Sequence, residues 1–296
     1  MLLSVCIVNW NTRDYLRESL TALGQYSPAG ADMEIIVVDN ASADGSAAMV
    51  AGEFPGAVLL ANAGNRGYAE GNNQALARAS GDLLLLLNPD VVVHPASLTR
   101  AVVFMADHPN AGALGCRLVG ADGKTQRSVR GFPDPGPVLW DAAGLSRLFP
   151  RSRLFGAYRM TFFDYDKVAE VDQPMGSFLL IARAALDKVG LMDPQFPIFF
   201  NEVDWCWRAK REHGFPIYYT PDVVVTHYGG SSTRQVKAAM VRESHRSLLR
   251  FYDKHYANIA PPVKWLIRIA VLSNEWRLTR RGACVIFPGG EQSRAR

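Results

Sequence analysis

Five consecutive leucines, residues 83–87, run directly into Asn88-Pro89-Asp90. Five residues are too few for a buried helix, and a run without polar alternation has no solvent face. The segment therefore reads as a strand covered on both sides. Other apolar runs precede it at 2–8, 34–38 and 57–60, and helix-like stretches at 12–25, 44–52, 68–79 and 95–107 alternate with the four runs. Such a β-α rhythm requires a mainly parallel sheet with helices on its faces. Ligands of these sheets sit at the carboxyl ends of the strands. The polar residues just past each run are thus the candidates for chemistry: Asn9 and Asn11, Asp39 and Asn40, Asn62 and Asn65, Asn88 and Asp90.

Regularity lapses between about 120 and 170, where Pro133, Pro135 and Pro137 crowd together, and long loops are expected there. It returns with a strand at 177–181, a helix at 201–213, a strand at 223–227, a long helix at 236–256 and a further helix entered through Pro261 and Pro262. The chain has 296 residues, 48% of them apolar, with 32 Lys plus Arg against 28 Asp plus Glu, which excludes disorder and suffices for a full core. Cys6, Cys116, Cys206 and Cys284 show no C-x-x-C spacing, so neither a disulfide framework nor a zinc ribbon is indicated, and a reducing compartment fits. No apolar run approaches the roughly 18–20 residues that span a bilayer, and residues 1–10 lack the basic start of a secretion signal.

Charge is unevenly distributed. Residues 232–296 carry a balance of +9, against −5 for the preceding 231, so an anionic partner is expected for the tail. Arg242, Arg246, Arg250 and Lys254 stand four apart and would line one helix face, where an anion would relieve their mutual repulsion. Trp265, Ile269, Leu272 and Trp276 form an apolar stripe flanked by Lys264, Arg268, Arg277, Arg280 and Arg281. That pattern suits a helix lying in a membrane surface or one docking its stripe on the body. Nucleic-acid binding is not expected, because the basic residues are not interleaved with aromatics as in a known module.

Several residues carry candidate chemistry. Asp90 either caps the following turn or holds Mg²⁺ or Mn²⁺, hard cations that share one or two carboxylates with substrate phosphates. Asp39 could accept hydrogen bonds from a ribose or base. The loop Gly64-Asn65-Arg66-Gly67 precedes a helix but lacks both the G-x-G-x-x-G and the P-loop spacing. Its backbone amides and Arg66 either approach a diphosphate or only form a turn. Glu202 and Asp204 open the helix at 201; Asp204 stands four residues before Arg208, a structural spacing, and Glu202 lies where a helix dipole keeps a general base ionised. His227 ends a strand and would complete a metal site, contact a phosphate or simply be structural.

In order along the chain, eight segments resemble the inverting family 2 glycosyltransferases, and within them the rhamnosyltransferase-like group. They are Val5-Cys-Ile-Val-Asn9-Trp-Asn11, Val37-Val-Asp39-Asn-Ala-Ser-Ala-Asp44-Gly-Ser46, Asn65-Arg-Gly-Tyr-Ala-Glu-Gly-Asn72-Asn73 and Leu86-Leu-Asn88-Pro-Asp90. Then come Asp122-Gly-Lys-Thr-Gln126-Arg-Ser128, Gly176-Ser-Phe-Leu-Leu180, Glu202-Val-Asp204-Trp-Cys206 and His227-Tyr-Gly-Gly-Ser231. The resemblance implies a GT-A fold, a Rossmann-like α/β architecture with a mixed, mainly parallel sheet flanked by helices. A transferase domain would cover 1–233 and a basic helical extension 234–296.

It also implies roles. Asn9, Asn11, Asp39, Asn65, Arg66, Gly67, Asn72, Asn88 and Gly176 would contact the nucleotide-sugar donor. Asp90, with His227, would hold Mg²⁺ or Mn²⁺ on its diphosphate, and Glu202 or Asp204 would be the base. Asn201 departs from the family's E-D-x-D pattern, which keeps a non-catalytic nucleotide-sugar or glycan-binding module as the alternative. The implied donor is dTDP-rhamnose. The implied acceptor is a glycan or polyprenyl-diphosphate-linked sugar at the cytoplasmic membrane face, with Arg242, Arg246 and Arg250 near its phosphates and the C-terminal helices in peripheral membrane contact.

Overall fold

The five leucines form the inner strand of a nine-stranded sheet, and all five are buried. The computed structural model describes residues 1–229 and 237–280. Its first half follows the expected rhythm: β1 (Leu2–Asn9), α1 (Arg13–Gln25), β2 (Asp32–Asp39), α2 (Ser46–Glu53), β3 (Val58–Ala61), α3 (Tyr68–Arg78), β4 (Leu83–Leu87), β5 (Val91–Val93) and α4 (Ser97–Asp107). The sheet continues with β6 (Ala113–Val119), β8 (Ala169–Val171), β10 (Phe178–Ala182) and β11 (Ile217–His227), in the order β3-β2-β1-β4-β10-β6-β11-β5 with β8 beside β11. Strands β3, β2, β1 and β4 are parallel, β10 is antiparallel to both β4 and β6, and β11 runs parallel to β6. The mixed, mainly parallel sheet is thus observed.

Successive residues of a strand point to opposite faces, and here both faces are packed. Cys6, Val8, Leu84, Leu86, Leu179 and Ile181 enter one core with α3 and residues 196–209. Leu3, Val5, Ile7, Leu83, Leu85, Leu87 and Leu180 enter the other with α1 and α4.

The segment at 120–170 differs from the expected loops. It holds β7 (Val129–Arg130) and two short helices, α5 (Pro135–Ala142) and α6 (Leu145–Leu148), and β7 pairs with β9 (Gln173–Pro174) in a separate antiparallel ribbon. A helix α7 (Arg183–Val189) follows β10, and α8 (Asn201–Trp207) continues as a π-helical turn at Arg208–Glu212.

The C-terminal helices α9 (Lys237–His255) and α10 (Pro261–Arg280) pack on the body. Phe251 of α9 is fully buried in the core that holds Trp205, while Ile267 and Val271 of α10 pack with Val138 of α5 and Tyr252 of α9. The helix-docking face of α10 is therefore not the anticipated stripe. Trp265, Leu266, Ile269, Leu272 and Trp276 are exposed. No helix among the described residues is long and apolar enough to cross a membrane.

Candidate active site

Strands β1 and β2 end side by side, with Asn9 opposite Asp39. Asn9 Nδ2 donates to Asp39 Oδ1 at 2.9 Å, and the Ser42 amide donates to Asp39 Oδ2 at 2.9 Å. Asn11 adopts a positive φ of 51°, accepts from the Ala43 amide at 2.7 Å and donates its own N–H to Ser42 Oγ at 2.9 Å. Asp39 is buried, each of its oxygens already engaged once by protein, and each keeps a second lone pair for another donor.

Glycine at 67 has a structural reason. Its φ is +86°, and a Cβ there would stand 2.9 Å from the Pro197 carbonyl oxygen. That same oxygen accepts from the Tyr68 and Ala69 amides at 2.6 and 3.1 Å, and Asn65 Oδ1 accepts from the Gly67 amide at 2.9 Å. Of the two readings of this loop, the turn holds for the Gly67, Tyr68 and Ala69 amides, because protein carbonyls already occupy the helix entry. Arg66 and Asn65 are left exposed on the loop. Asn72 lies fully buried on α3, its Nδ2 bonded back to the Tyr68 carbonyl and its Oδ1 without a hydrogen-bond partner among the described residues.

Beyond β4 the rim becomes a continuous polar chain. Asn88 donates its amide to the Ser177 carbonyl at 3.0 Å and its Nδ2 to Ser177 Oγ at 3.2 Å. Ser177 Oγ stands 3.2 Å from His227 Nε2, which in turn lies 3.6 Å from Asp90 Oδ1. Gln126 fixes the imidazole: its Nε2 donates to the His227 carbonyl at 2.8 Å, so its Oε1 is the group 2.8 Å from His227 Nδ1. An acceptor there requires the proton on Nδ1. The Nε2 lone pair consequently faces the Asp90 carboxylate. Burial also pushes the His227 pKa down, favouring the neutral ring, with Asp90 opposing.

The polar chain continues through Tyr68 to the Gly176 carbonyl and ends there, where Gly176 packs against the Glu202 side chain. Tyr68 Oη donates to Asn88 Oδ1 at 2.9 Å and lies 3.3 Å from the Gly176 carbonyl. Gly176 packs on Glu202 so closely that a Cβ would meet the Glu202 Cγ at 3.2 Å. Glu202 itself is not held ionised by its helix start, as its position had suggested. Burial pushes its pKa up to about 7, only partly offset by the amides of Glu202 and Val203.

Asp204 differs entirely from Glu202. It is fully buried and bonded to Arg208 at 2.9 Å, Lys254 at 2.7 Å and His255 at 2.7 Å. Burial alone would raise its pKa, but the hydrogen bonds from His255 and Lys254 outweigh it and hold the carboxyl below the usual range. The Asp204–Arg208 spacing is the structural pair read from the sequence. Asn201 is also buried, and its Nδ2 caps the Ile198 carbonyl at 2.9 Å.

The tail arginines do not form the expected like-charge row. Arg250 pairs with Glu243 at 2.5 Å, and Lys254 with Asp193 and Asp204. Glu243 within α9, with Asp193 and Asp204 facing it, relieves the repulsion at Arg250 and Lys254 without an anion. Arg242 and Arg246 do stay exposed, lining an open cavity of about 320 Å³ with Pro197, Ile198 and Met240. Gly230 to Ser232 and the side chains of Arg277, Arg280 and Arg281 lie outside the described residues. Sequence reasoning assigned no role to Tyr68, Gln126 or Ser177, although all three lie inside the motifs that carry the resemblance.

Comparison with known proteins gives the family and the fold. The family model of Glycosyl transferase family 2 matches residues 4–169. The chain is 26% identical over 283 residues to the N-acetylglucosaminyl-diphospho-decaprenol L-rhamnosyltransferase of Mycobacterium tuberculosis, an alignment covering 90% of this chain and 89% of that protein. Among solved structures, a mannosyltransferase from Pyrobaculum calidifontis in complex with GDP-Man and Mn²⁺ superposes with a TM-score of 0.59 at 18% identity, over 95% of this chain and 76% of that one. Staphylococcus aureus TarS residues 1–349, solved with UDP, gives 0.54 at 16%, over 95% and 73%. These two neighbours establish the GT-A glycosyltransferase fold. The chain is a glycosyltransferase and belongs to glycosyl transferase family 2.

Proposed function

We propose that the protein is an inverting transferase that moves rhamnose from dTDP-rhamnose to a sugar hydroxyl on a polyprenyl-diphosphate-linked acceptor. One observation carries this reading: the Asp90–His227 pair and Glu202 share one rim, joined through Ser177, Gly176, Asn88 and Tyr68. Similarity to the mycobacterial rhamnosyltransferase, over nine-tenths of both chains, supports the choice of donor and acceptor.

Asp90 Oδ1 and His227 Nε2 stand 3.6 Å apart on the rim, a carboxylate oxygen and an imidazole nitrogen of the kinds that suit a divalent cation. Asp90 and His227 would hold Mg²⁺ or Mn²⁺, which when bound supplies positive charge to the diphosphate leaving group. Asp39, Asn9 and Asn11 form the floor for the nucleotide, with Arg66 beside it; Asn88 and Gly176 position the sugar edge. Glu202 takes the proton from the acceptor hydroxyl as that oxygen bonds to the anomeric carbon. The anomeric carbon–phosphate oxygen bond breaks, the nucleoside diphosphate leaves with the electron pair, and configuration inverts. A carboxylate with a pKa of about 7 is matched to this task, since it is basic enough to accept the proton and still ionised near neutrality. Asp204 supports the helix that carries Glu202 and makes no contact with substrate.

Transfer to a diphospholipid-linked N-acetylglucosamine, assayed with dTDP-rhamnose, UDP-glucose and GDP-mannose in Mg²⁺ or Mn²⁺, tests the reading. We expect turnover with dTDP-rhamnose and loss of metal-dependent donor binding in Asp90→Asn. Turnover with another donor alone would overturn the donor assignment, and Mn²⁺-dependent donor affinity that survives in Asp90→Asn would overturn the metal site. The exposed stripe of α10, with Lys264 and Arg268 beside it, is the part of the molecule we assign to peripheral contact with an anionic membrane.

A further inference from the structure

The β7–β9 ribbon stands beside the rim, and between it and α8 lies a narrow cleft lined by Arg127, Ser128, Arg130, Gln173, Met175 and Glu202. Two features there are unused by the chemistry above. Ser128 is 3% exposed, and its Oγ has no hydrogen-bond partner among the described residues. Buried hydroxyls are normally satisfied, and the cleft beside this one, about 20 Å³, leaves room for a single oxygen-sized group against it. The second feature is charge. Arg127 is exposed, and Arg130 is anchored through Nη1 to the Val129 carbonyl at 2.9 Å; neither guanidinium pairs with a carboxylate among the described residues. Gln173 is already spent on the Gly131 carbonyl at 2.7 Å.

Two uncompensated guanidinium groups and a free hydroxyl make a site for an oxyanion with several acceptor oxygens, the chemistry of a phosphate or diphosphate. Its location decides which phosphate. The donor's diphosphate is assigned to Asp90 and His227, neither of which lines this cleft, whereas Glu202 does. We infer that Arg127, Ser128 and Arg130 form an acceptor subsite that binds the phosphate or diphosphate attached to the acceptor sugar and so presents its hydroxyl to Glu202. The inference rests on the reading of Glu202 as the base, and it assigns the acceptor anion to β7 and not to Arg242 and Arg246 on α9.

Calorimetry on the full chain can test it with three probes: octyl N-acetylglucosaminide, which is neutral, the octyl diester of N-acetylglucosamine diphosphate, and inorganic pyrophosphate. The diphosphate diester should bind about tenfold more tightly than the neutral glycoside, with pyrophosphate competing against it. Arg127→Gln and Ser128→Ala, one exposed and the other without a bond to lose, should each erase most of that preference. Both should leave dTDP affinity unchanged, and Arg242→Gln with Arg246→Gln should leave the preference intact. Absence of a preference, its survival in both β7 variants, or its loss only in the α9 double variant would overturn the subsite. Failure of dTDP to bind the wild-type chain, by contrast, would strike the donor reading and leave the probe comparison standing.

Discussion

Two acids separated by a single residue on one helix are set in opposite electrostatic environments, and their responses to substitution should differ accordingly. Glu202→Gln keeps the shape and removes the proton acceptor, so turnover should drop by a factor of roughly 10² to 10⁴ with donor affinity retained. In the wild type the rate should rise with pH through an inflection near 7, where Glu202 loses its proton, and Glu202→Gln should lack that limb. The same raised pKa favours the folded protein while Glu202 is neutral; that contribution declines as pH climbs from the ordinary Glu range towards 7. Asp204 behaves inversely. Its depressed pKa gives stability that is present above the ordinary Asp range and is lost as pH falls through it. Asp204→Asn would leave the Arg208 guanidinium without its carboxylate and weaken the bonds to Lys254 and His255, costing about 3–5 kcal/mol, visible as a lowered midpoint in urea unfolding. Normal stability in that variant would remove it from its supporting role. Locally only the Asp204–Arg208 spacing separates the two acids, since the rest of their environments comes from Gly176 on one side and α9, some fifty residues away, on the other.

At the level of elements, the rim is built by strand ends brought together from distant parts of the chain. The leucine run made β4 legible because burial on both faces leaves no alternative, and the amides and acids after β1, β2 and β4 could be located from it. β6 was not expected because Gly115 and Arg117 interrupt its apolar pattern, and β11 begins at Ile217, well before the anticipated 223, because Pro221 and Asp222 mask a strand that shifts register between Thr220 and Val224. Gly176 shows what sequence reasoning could place but not explain. Its missing Cβ lets β10's entry press against Glu202, so Gly176→Ala should move the base and lower kcat with little change in unfolding midpoint. An unchanged kcat would show that Glu202 tolerates the displacement. The helix entry at Tyr68 is the reverse case. A glycine loop before a helix invites a phosphate, and only the structure reveals Pro197 sitting in that position.

At the scale of the molecule, α10 turns five aromatic and aliphatic side chains outward, while Ile267 and Val271 hold its inner side to α5 and α9. Sequence periodicity identified the stripe but could not say which way it faced, because a docking helix and a membrane-surface helix share one pattern. Trp265→Ser with Trp276→Ser should lose most sedimentation with anionic vesicles, and added salt should weaken the wild type's binding. Cosedimentation equal to the wild type would place membrane contact elsewhere.

The grip of Arg208, Lys254 and His255 on Asp204 has a mechanical consequence. α10 rests on α9, and α9 holds α8 by Lys254 and His255, two residues from Glu202, so the linkage from the outer helix to the proton acceptor consists of packed side chains with no flexible tether. Any surface on which α10 settles thereby fixes the height and tilt of Glu202 above it. Acceptors whose reactive hydroxyl projects to that height would be selected by length.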